Sequence, residues 1–497
     1  MDYPQAVSYL YSLGNEVATA KLGLENIRCL LSFLGHPQDR FPSVLIAGTN
    51  GKGSVAAFCE SVLRTQGYRT GLYTSPHLVR IRERIRLGGR EILPADLARL
   101  TVTVKAAVGQ LLAGTVRNGR RLKLERHPTY FEMVTALAFL YFAEKEVEIA
   151  ILEVGLGGRL DATNVVDPIV SVIAPVSYDH QASLGSDLKA IAREKAGIIK
   201  PRRAAGPEKE RQLAVVCSRQ EEGVLEVIRR QCRTAGARWL PAFQQPECQR
   251  VSHRLEETSL DVHPVLGTRL KLKVPLPGTH QVGNALTAVR TLEVLHGSGF
   301  PLRPEAIERG IARTRWPGRL EVLPGRPRVV LDGAHNPAAA ESLARHIRTF
   351  LPSEQVLLIY GSLRDKDIPA VFSALSPLAR EVILTRPDSE RGEAPRDIVR
   401  NGWTGGRAVR CRARLEDAWA LARGLARPED TLLVAGSLYL VGDFKRHLAG
   451  VDRPRTAAET GGAGQAVPYS DREGPTPGLA GGSAGAQNDS DNILTTH

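Results

Sequence analysis

The apolar run Val44-Leu45-Ile46-Ala47 followed by Gly48-Thr49-Asn50-Gly51-Lys52-Gly53-Ser54 constrains the chain more than any other segment. An apolar run without polar alternation is the pattern of a strand buried on both faces. The next residues, Val55 to Gln66, read as a helix ended by Gly67. Strand, glycine loop and helix in that order make one unit of a doubly wound parallel sheet, and the loop then lies where helix N–H groups attract phosphate. Gly48, Gly51 and Gly53 permit close backbone approach, Lys52 adds a positive charge, and Ser54 or Thr49 is placed to reach a magnesium ion. The strict phosphate-loop pattern has four residues between its first glycine and Gly-Lys, whereas this loop has only Thr49 and Asn50 between Gly48 and Gly51. A plain structural turn stays open as the alternative.

Val147 to Val154 and Ile169 to Pro175 read as further buried parallel strands, while Ile81 to Leu87 alternates and predicts a half-exposed strand of a hairpin turning at Gly88-Gly89. Glu153 ends one buried strand and is followed by the glycine-rich Gly155 to Asn164 segment. A carboxylate there faces the crevice in which open sheets bind ligands and suits a magnesium ligand, or else caps a turn. Ser75-Pro76-His77 and Asp179-His180 also follow strands, although a lone histidine such as His180 is more often a cap or core group. Lys195 falls on a helix, where a solvated charge is the plain reading. Beyond the Pro-Gly break at Trp316 to Arg319, alternation restarts with strands at Arg328 to Leu331, Val356 to Tyr360, Glu381 to Thr385 and Thr431 to Ala435. Asp332-Gly333-Ala334-His335-Asn336-Pro337 follows the first of these strands and reads either as ligand-binding residues or as a helix start capped by Asn336. Residues 201 to about 275 are the least regular part and carry no assignable chemistry.

The chain has 497 residues, 42% of them hydrophobic, which suffices for two or three domains. It contains no run of about 18 apolar residues, and its start lacks the plan of a signal peptide, so a cytoplasmic protein without membrane attachment is expected. The six scattered cysteines suggest neither disulfides nor zinc. The net charge of +13 is spread along the chain and aromatics make up 5%, which argues against a nucleic-acid partner. From about Val451 the composition turns to Gly, Ala, Pro, Ser and Thr, too poor in apolar surface to offset its ordering entropy, so residues 451–497 are expected to be a disordered tail.

The strings AGTNGKGS from Ala47, SPHL from Ser75, TYFE from Thr129, EVGLGGRLDATN from Glu153, REKAGI from Arg193, WPGRLE from Trp316, DGAHNP from Asp332, RDKD from Arg364 and GSLYLVG from Gly436 occur together in one order. Over about residues 10 to 445 the chain resembles the folylpolyglutamate synthase and dihydrofolate synthase branch of the Mur ligase family. The expected fold is α/β: an N-terminal phosphate-loop NTPase-like doubly wound domain over residues 1–312 and a smaller Rossmann-like α/β domain over 313–450. The resemblance implies that Thr49, Asn50, Gly51, Lys52, Gly53, Ser54, Asn284, Arg319 and Asp332 bind ATP. It implies further that Ser75, Glu153 and His180 hold magnesium, two ions in all, directly or through water, and that Lys195 is carbamylated. Lys52, Lys195 and His180 are the expected catalytic residues. Ser12, Leu13, Gly14 and Asn15, with Thr129, Tyr130, Phe131, Glu132, Leu160, Asp161 and Ala162, fall where the family binds dihydropteroate. One departure is Gln181-Ala182-Ser183 after His180, where the family more often has a polar pair.

The implied activity is ATP-dependent addition of L-glutamate to dihydropteroate, to a reduced folate, or to both, by a monomer, through an acyl phosphate shielded from water between the two domains. Two other readings compete. A cell-wall ligase of the same superfamily usually carries an additional N-terminal domain, and the loop here begins 47 residues in. A phosphate-loop binding or switch protein would lack ligase chemistry.

Overall fold

A computed structural model describes residues 1–14, 23–117, 120–201, 212–244, 247–450 and 493–494. Asn15, residues 451–492 and residues 495–497 therefore lie outside the described residues. Ser43–Ala47, a strand buried throughout, pairs in parallel with Ile149–Glu153 on one side and Val170–Ile173 on the other. Thr70–Tyr73, Ala214–Cys217 and Arg238–Pro241 extend the parallel set, and Ile85–Leu87 with Arg90–Glu91 closes one edge antiparallel, giving an eight-stranded sheet. Its central strands are apolar because both faces are covered, one by the cluster around Leu45, Tyr73, Phe139 and Phe142, the other by the cluster around Val44, Phe58 and Leu292.

The loop leads into the helix Lys52–Gln66, which ends at Gly67 in the left-handed region, φ 116°. This helix is clamped at Gly310 of the helix Pro304–Ala312, where an added side chain would run into Val62 and where Ser61 Oγ donates to the Gly310 carbonyl at 2.7 Å. The phosphate loop is therefore mounted on a helix packed closely against its neighbour.

Within residues 1–312 two secondary-structure expectations need correction. Ile81–Arg84 is a short 3-10 turn and only Ile85–Leu87 is strand, although the hairpin does turn at Gly88-Gly89. The cause is Glu83, whose carboxylate accepts the N–H groups of Leu78, Val79 and Arg80 at 2.7 to 2.9 Å and tightens the chain there. The supposedly irregular stretch from 201 to 275 is, in its described part, regular. It supplies two sheet strands, the helix Glu222–Ala235 and an antiparallel three-stranded sheet, Glu247–His253, Thr258–Val265 and Thr268–Val274. In the last strand Leu270, Leu272 and Val274 alternate inward.

A second, seven-stranded sheet has the order Glu321–Leu323, Arg328–Leu331, Thr431–Ala435, Val356–Tyr360, Glu381–Leu384, Val409–Cys411 and Ile493–Leu494, antiparallel only at its two edges. Ile493–Leu494 was expected within the disordered tail. Two residues can pair with an open sheet edge through backbone alone, which composition does not report. The α/β class and the sheet interiors agree with the sequence reading. Among the described residues no helix is long and apolar enough to cross a membrane.

Candidate active site

Four adjacent strands of the first sheet end together, at Ala47, Glu153, Ile173 and Tyr73, and their following loops form one wall of a cleft of about 770 Å³. Loops after Leu331, Tyr360 and Ala435 of the second sheet form the opposite wall.

In the glycine loop Gly51 has φ 82°, and a side chain there would overlap Asn284, so only glycine satisfies both backbone and space. The N–H groups of Thr49 and Asn50 do not face the cleft. Both donate to the Pro175 carbonyl, at 2.8 and 3.1 Å, while Thr49 Oγ1 donates to Ser177 O at 2.9 Å and accepts from Ser177 N at 3.0 Å. These bonds fasten the loop to the neighbouring strand end. The N–H groups of Lys52, Gly53 and Ser54, in the first helical turn, have no acceptor four residues back and are the ones available to an anion. Lys52 Nζ donates to Thr49 O at 3.2 Å and lies 4.0 Å from Glu153 Oε1.

Glu153 is 4% exposed and its Oε2 accepts the Ser75 N–H at 3.2 Å. Burial raises its carboxyl above the usual range despite the opposing charge of Lys52. Lys195, at the end of the helix Leu188–Ala196, is buried rather than solvated, and its Nζ donates to Gly48 O at 2.9 Å. Burial, reinforced by the Lys52 charge, brings it down to about 7. Its helix register sends it inward with Ile191, which charge alone does not signal.

Asp179 and His180 meet the second wall directly. Asp179 Oδ1 lies 2.6 Å from Lys366 Nζ, and its Oδ2 lies 3.4 Å from His335 Nε2 and 3.3 Å from Asn336 Nδ2. Burial would raise the Asp179 carboxyl, but the His335 contact and the Lys366 charge hold it well below the carboxylate range. His180 Nε2 is 3.5 Å from Lys366 Nζ, and burial with the Lys366 charge pushes the imidazole down to about 3, so it is neutral at ordinary pH. Lys366 was absent from the expected site residues. Its sequence signal is the RDKD string from Arg364.

Arg319 and Asp332 line the same wall. Asp332 accepts the N–H groups of Leu320 and Ala334, each at 2.8 Å, so both oxygens shape the junction on which Arg319 stands. Asn284 donates to Gln281 Oε1 at 2.9 Å, and Gln281 in turn donates to Ser54 Oγ at 3.3 Å, tying the helix Thr279–His296 to the glycine loop.

At the far end Thr129, Phe131, Glu132, Leu160, Asp161 and Ala162 line the cleft. Thr129 and Glu132 form the capping box of the helix Tyr130–Glu144, and Glu132 also binds Arg126 at 2.8 Å. Asp161 is committed to the N–H of Leu156 and to Thr163, so its carboxylate builds the turn. Tyr130 turns away from Phe131, as neighbours on a helix must, and stacks on Tyr11 with ring centroids 6.0 Å apart. Ser12, Leu13 and Gly14 are not among the residues lining the cleft. The Ser12 hydroxyl donates back to Tyr9 O at 2.7 Å, and the helix Tyr3–Ser12 contacts the loop after Tyr73 through Tyr11, whose hydroxyl meets His77 Nε2 at 3.2 Å.

A magnesium ion is compatible with this chemistry. Glu153 is a buried carboxylate, His180 is neutral and able to donate a lone pair, and Ser75 adds a hydroxyl on the same wall. Among the described residues no three His, Cys, Asp or Glu side chains are grouped so as to hold a metal ion by themselves, so water or phosphate oxygens would have to complete the shell.

Residues 91–292 match the Mur ligase middle domain and residues 318–438 match the Mur ligase glutamate ligase domain. The chain is 34% identical over 460 residues to the folylpolyglutamate synthase of Lacticaseibacillus casei, covering 90% of this chain and 99% of that one. It is 36% identical over 447 residues to a probable bifunctional folylpolyglutamate synthase/dihydropteroate synthase of Haloferax volcanii, with 90% of this chain covered; there it spans only 50% of the relative's length. The solved structure of E. coli FolC in complex with DHPP and ADP superposes with a TM-score of 0.77 at 31% identity, covering 90% of this chain and 98% of that one. Matched along nearly its whole described length, the chain belongs to the Mur ligase family, in the folylpolyglutamate synthase and dihydrofolate synthase branch of these ATP-dependent ligases.

Proposed function

We propose that this chain joins L-glutamate to dihydropteroate and to the γ-carboxylate of reduced folates, with ATP and magnesium, as a monomer in the cytoplasm. The observation that carries this reading is one cleft between the strand ends of two sheets, lined by Lys52, Lys195, Lys366 and Arg319 together with the buried carboxylate of Glu153. Such an arrangement suits a polyanionic nucleotide beside an anionic acceptor. E. coli FolC, which binds DHPP and ADP, shares this fold.

In the proposed reaction an oxygen of the acceptor carboxylate attacks the γ-phosphorus of ATP and the bond to ADP breaks. The amine of glutamate then attacks the resulting acyl phosphate, phosphate leaves, and the amine gives up a proton. The first-turn N–H groups of Lys52 to Ser54 would hold phosphate oxygens, and Lys52 and Arg319 would offset the charge that develops in transfer. Glu153, Ser75 and neutral His180 would hold magnesium, which neutralises phosphate oxygens when bound. Lys195, as a neutral amine, would take up carbon dioxide to give a carbamate and a proton. Phe131 and Leu160 offer an apolar wall to a flat pteridine, and residues 1–312 and 313–450 act as two domains that keep water from the acyl phosphate.

The test is one assay: purified protein, magnesium, ATP and labelled glutamate, with dihydropteroate and a tetrahydrofolate offered separately and product masses compared. One added glutamate on each acceptor is expected. No glutamate-dependent ADP release with either would sink the proposal.

A further inference from the structure

Asn50 belongs to the glycine loop, yet its side chain faces the other wall of the cleft. Its Nδ2 donates to Asn336 Oδ1 at 3.2 Å and to Ser177 Oγ at 3.1 Å, and its Oδ1 accepts from Asn336 Nδ2 at 3.0 Å. The two amides thus form a reciprocal pair across the cleft. Asn336 is 2% exposed, and its Oδ1 also accepts the Ala339 N–H at 3.0 Å, capping the helix Pro337–Phe350. Its Nδ2 reaches Asp179 Oδ2 as well. The residue that starts this helix therefore grips the glycine loop and the Asp179 loop together.

We infer that Asn336 is a positioning residue for the glycine loop, coupling the docking of the second sheet to the loop shape that receives nucleotide. Two facts carry this. Asn50 N–H is already given to Pro175 O and its side chain is fully engaged with Ser177 and Asn336, so Asn50 shapes the loop and leaves the anion to the helix-end N–H groups. The pair also joins segments 286 residues apart, so opening the cleft must break it. If closing sets the loop, nucleotide bound to the loop must favour closing by the same factor. The inference rests on the reading of the cleft as an ATP site.

Substitution at this position separates capping from gripping. Serine and aspartate cap helices about as well as asparagine. Serine is too short to reach Asn50, and aspartate lacks the N–H donors and sets its charge against Asn50 Oδ1 and Asp179. ADP affinity is measured by calorimetry on the full chain, with solution scattering of the ligand-free protein. Asn336→Ser is expected to weaken ADP binding about tenfold, the scale of one or two lost hydrogen bonds. The expected companions are an unchanged melting temperature, a larger radius of gyration, a raised KM for ATP and a kcat within twofold. Asn336→Asp should be weaker still. In an Asn50→Ala background Asn336→Ser should cost clearly less than in the wild type, since of its two cross-cleft partners only Asp179 remains. Wild-type ADP affinity and scattering in Asn336→Ser, additive effects in the double variant, or a fall in kcat at unchanged KM each overturn the inference. Failure of the wild-type chain to bind ADP would instead sink the ATP reading, and the scattering comparison would still judge the pairing.

Discussion

Lys195 Nζ donates to the carbonyl oxygen of Gly48, the first residue of the glycine loop, at 2.9 Å. The lysine is buried, and burial together with the Lys52 charge lowers it from 10.5 to about 7. The neutral form therefore gains as pH rises through about 7. Between about 7 and 10.5 the unfolded chain keeps a proton that the folded chain has lost, so the destabilisation from this group relaxes with rising pH and is greatest below that window. Carbamylation needs the neutral amine. With 13C-bicarbonate, NMR should show a carbamate signal at pH 8 that is weak at pH 6 and missing in Lys195→Arg. A spectrum identical in wild type and variant would refute carbamylation at this residue.

The helix carrying Lys195 is held in place by Gly158. A Cβ there would lie 2.8 Å from the carbonyl oxygens of both Glu194 and Lys195, which are backbone atoms and cannot rotate away. Gly158→Ala should thus destabilise the fold by about 1–3 kcal/mol, the usual range for overpacking, and displace Lys195. Denaturant unfolding measures the first effect and ligase rate the second. Wild-type stability together with wild-type rate would show that the helix is not so constrained.

The parallel cores were legible because strands such as Ser43–Ala47 and Val356–Tyr360 are buried on both faces and need unbroken apolar runs. Glu153 and His180 were legible as strand-end residues for the same reason. The 3-10 turn at Ile81–Arg84 was not, because one carboxylate, Glu83, collects three N–H groups and overrides a period of two. The contacts of Lys366 and the Asn50–Asn336 pair were hidden because they depend on how two sheets face each other, a relation between residues up to 286 positions apart that no local pattern records.

Glu153→Gln keeps the shape of the buried side chain and removes its charge. Lys52, 4.0 Å away, would lose its partner, and the site would lose its buried carboxylate. Turnover with either acceptor should fall about 10²-fold or more, the scale for removing one electrostatic contributor, while the melting temperature changes little. Lys52→Ala should abolish turnover with both acceptors. Steady-state rates decide; near-normal turnover in either variant removes that residue from its role.

Asp332 distinguishes a nucleotide contact from an architectural one. Burial raises its carboxyl against the opposing Arg319 charge, and both oxygens are taken by the N–H groups of Leu320 and Ala334. In Asp332→Asn the amide nitrogen must face one of those donors, leaving a buried N–H without its acceptor, at a cost of about 1–3 kcal/mol. Because Leu320 follows Arg319 directly, the guanidinium should lose its orientation as well. The expected result is a lower melting temperature together with a raised KM for ATP. A raised KM at wild-type melting temperature would show instead that Asp332 touches the nucleotide itself.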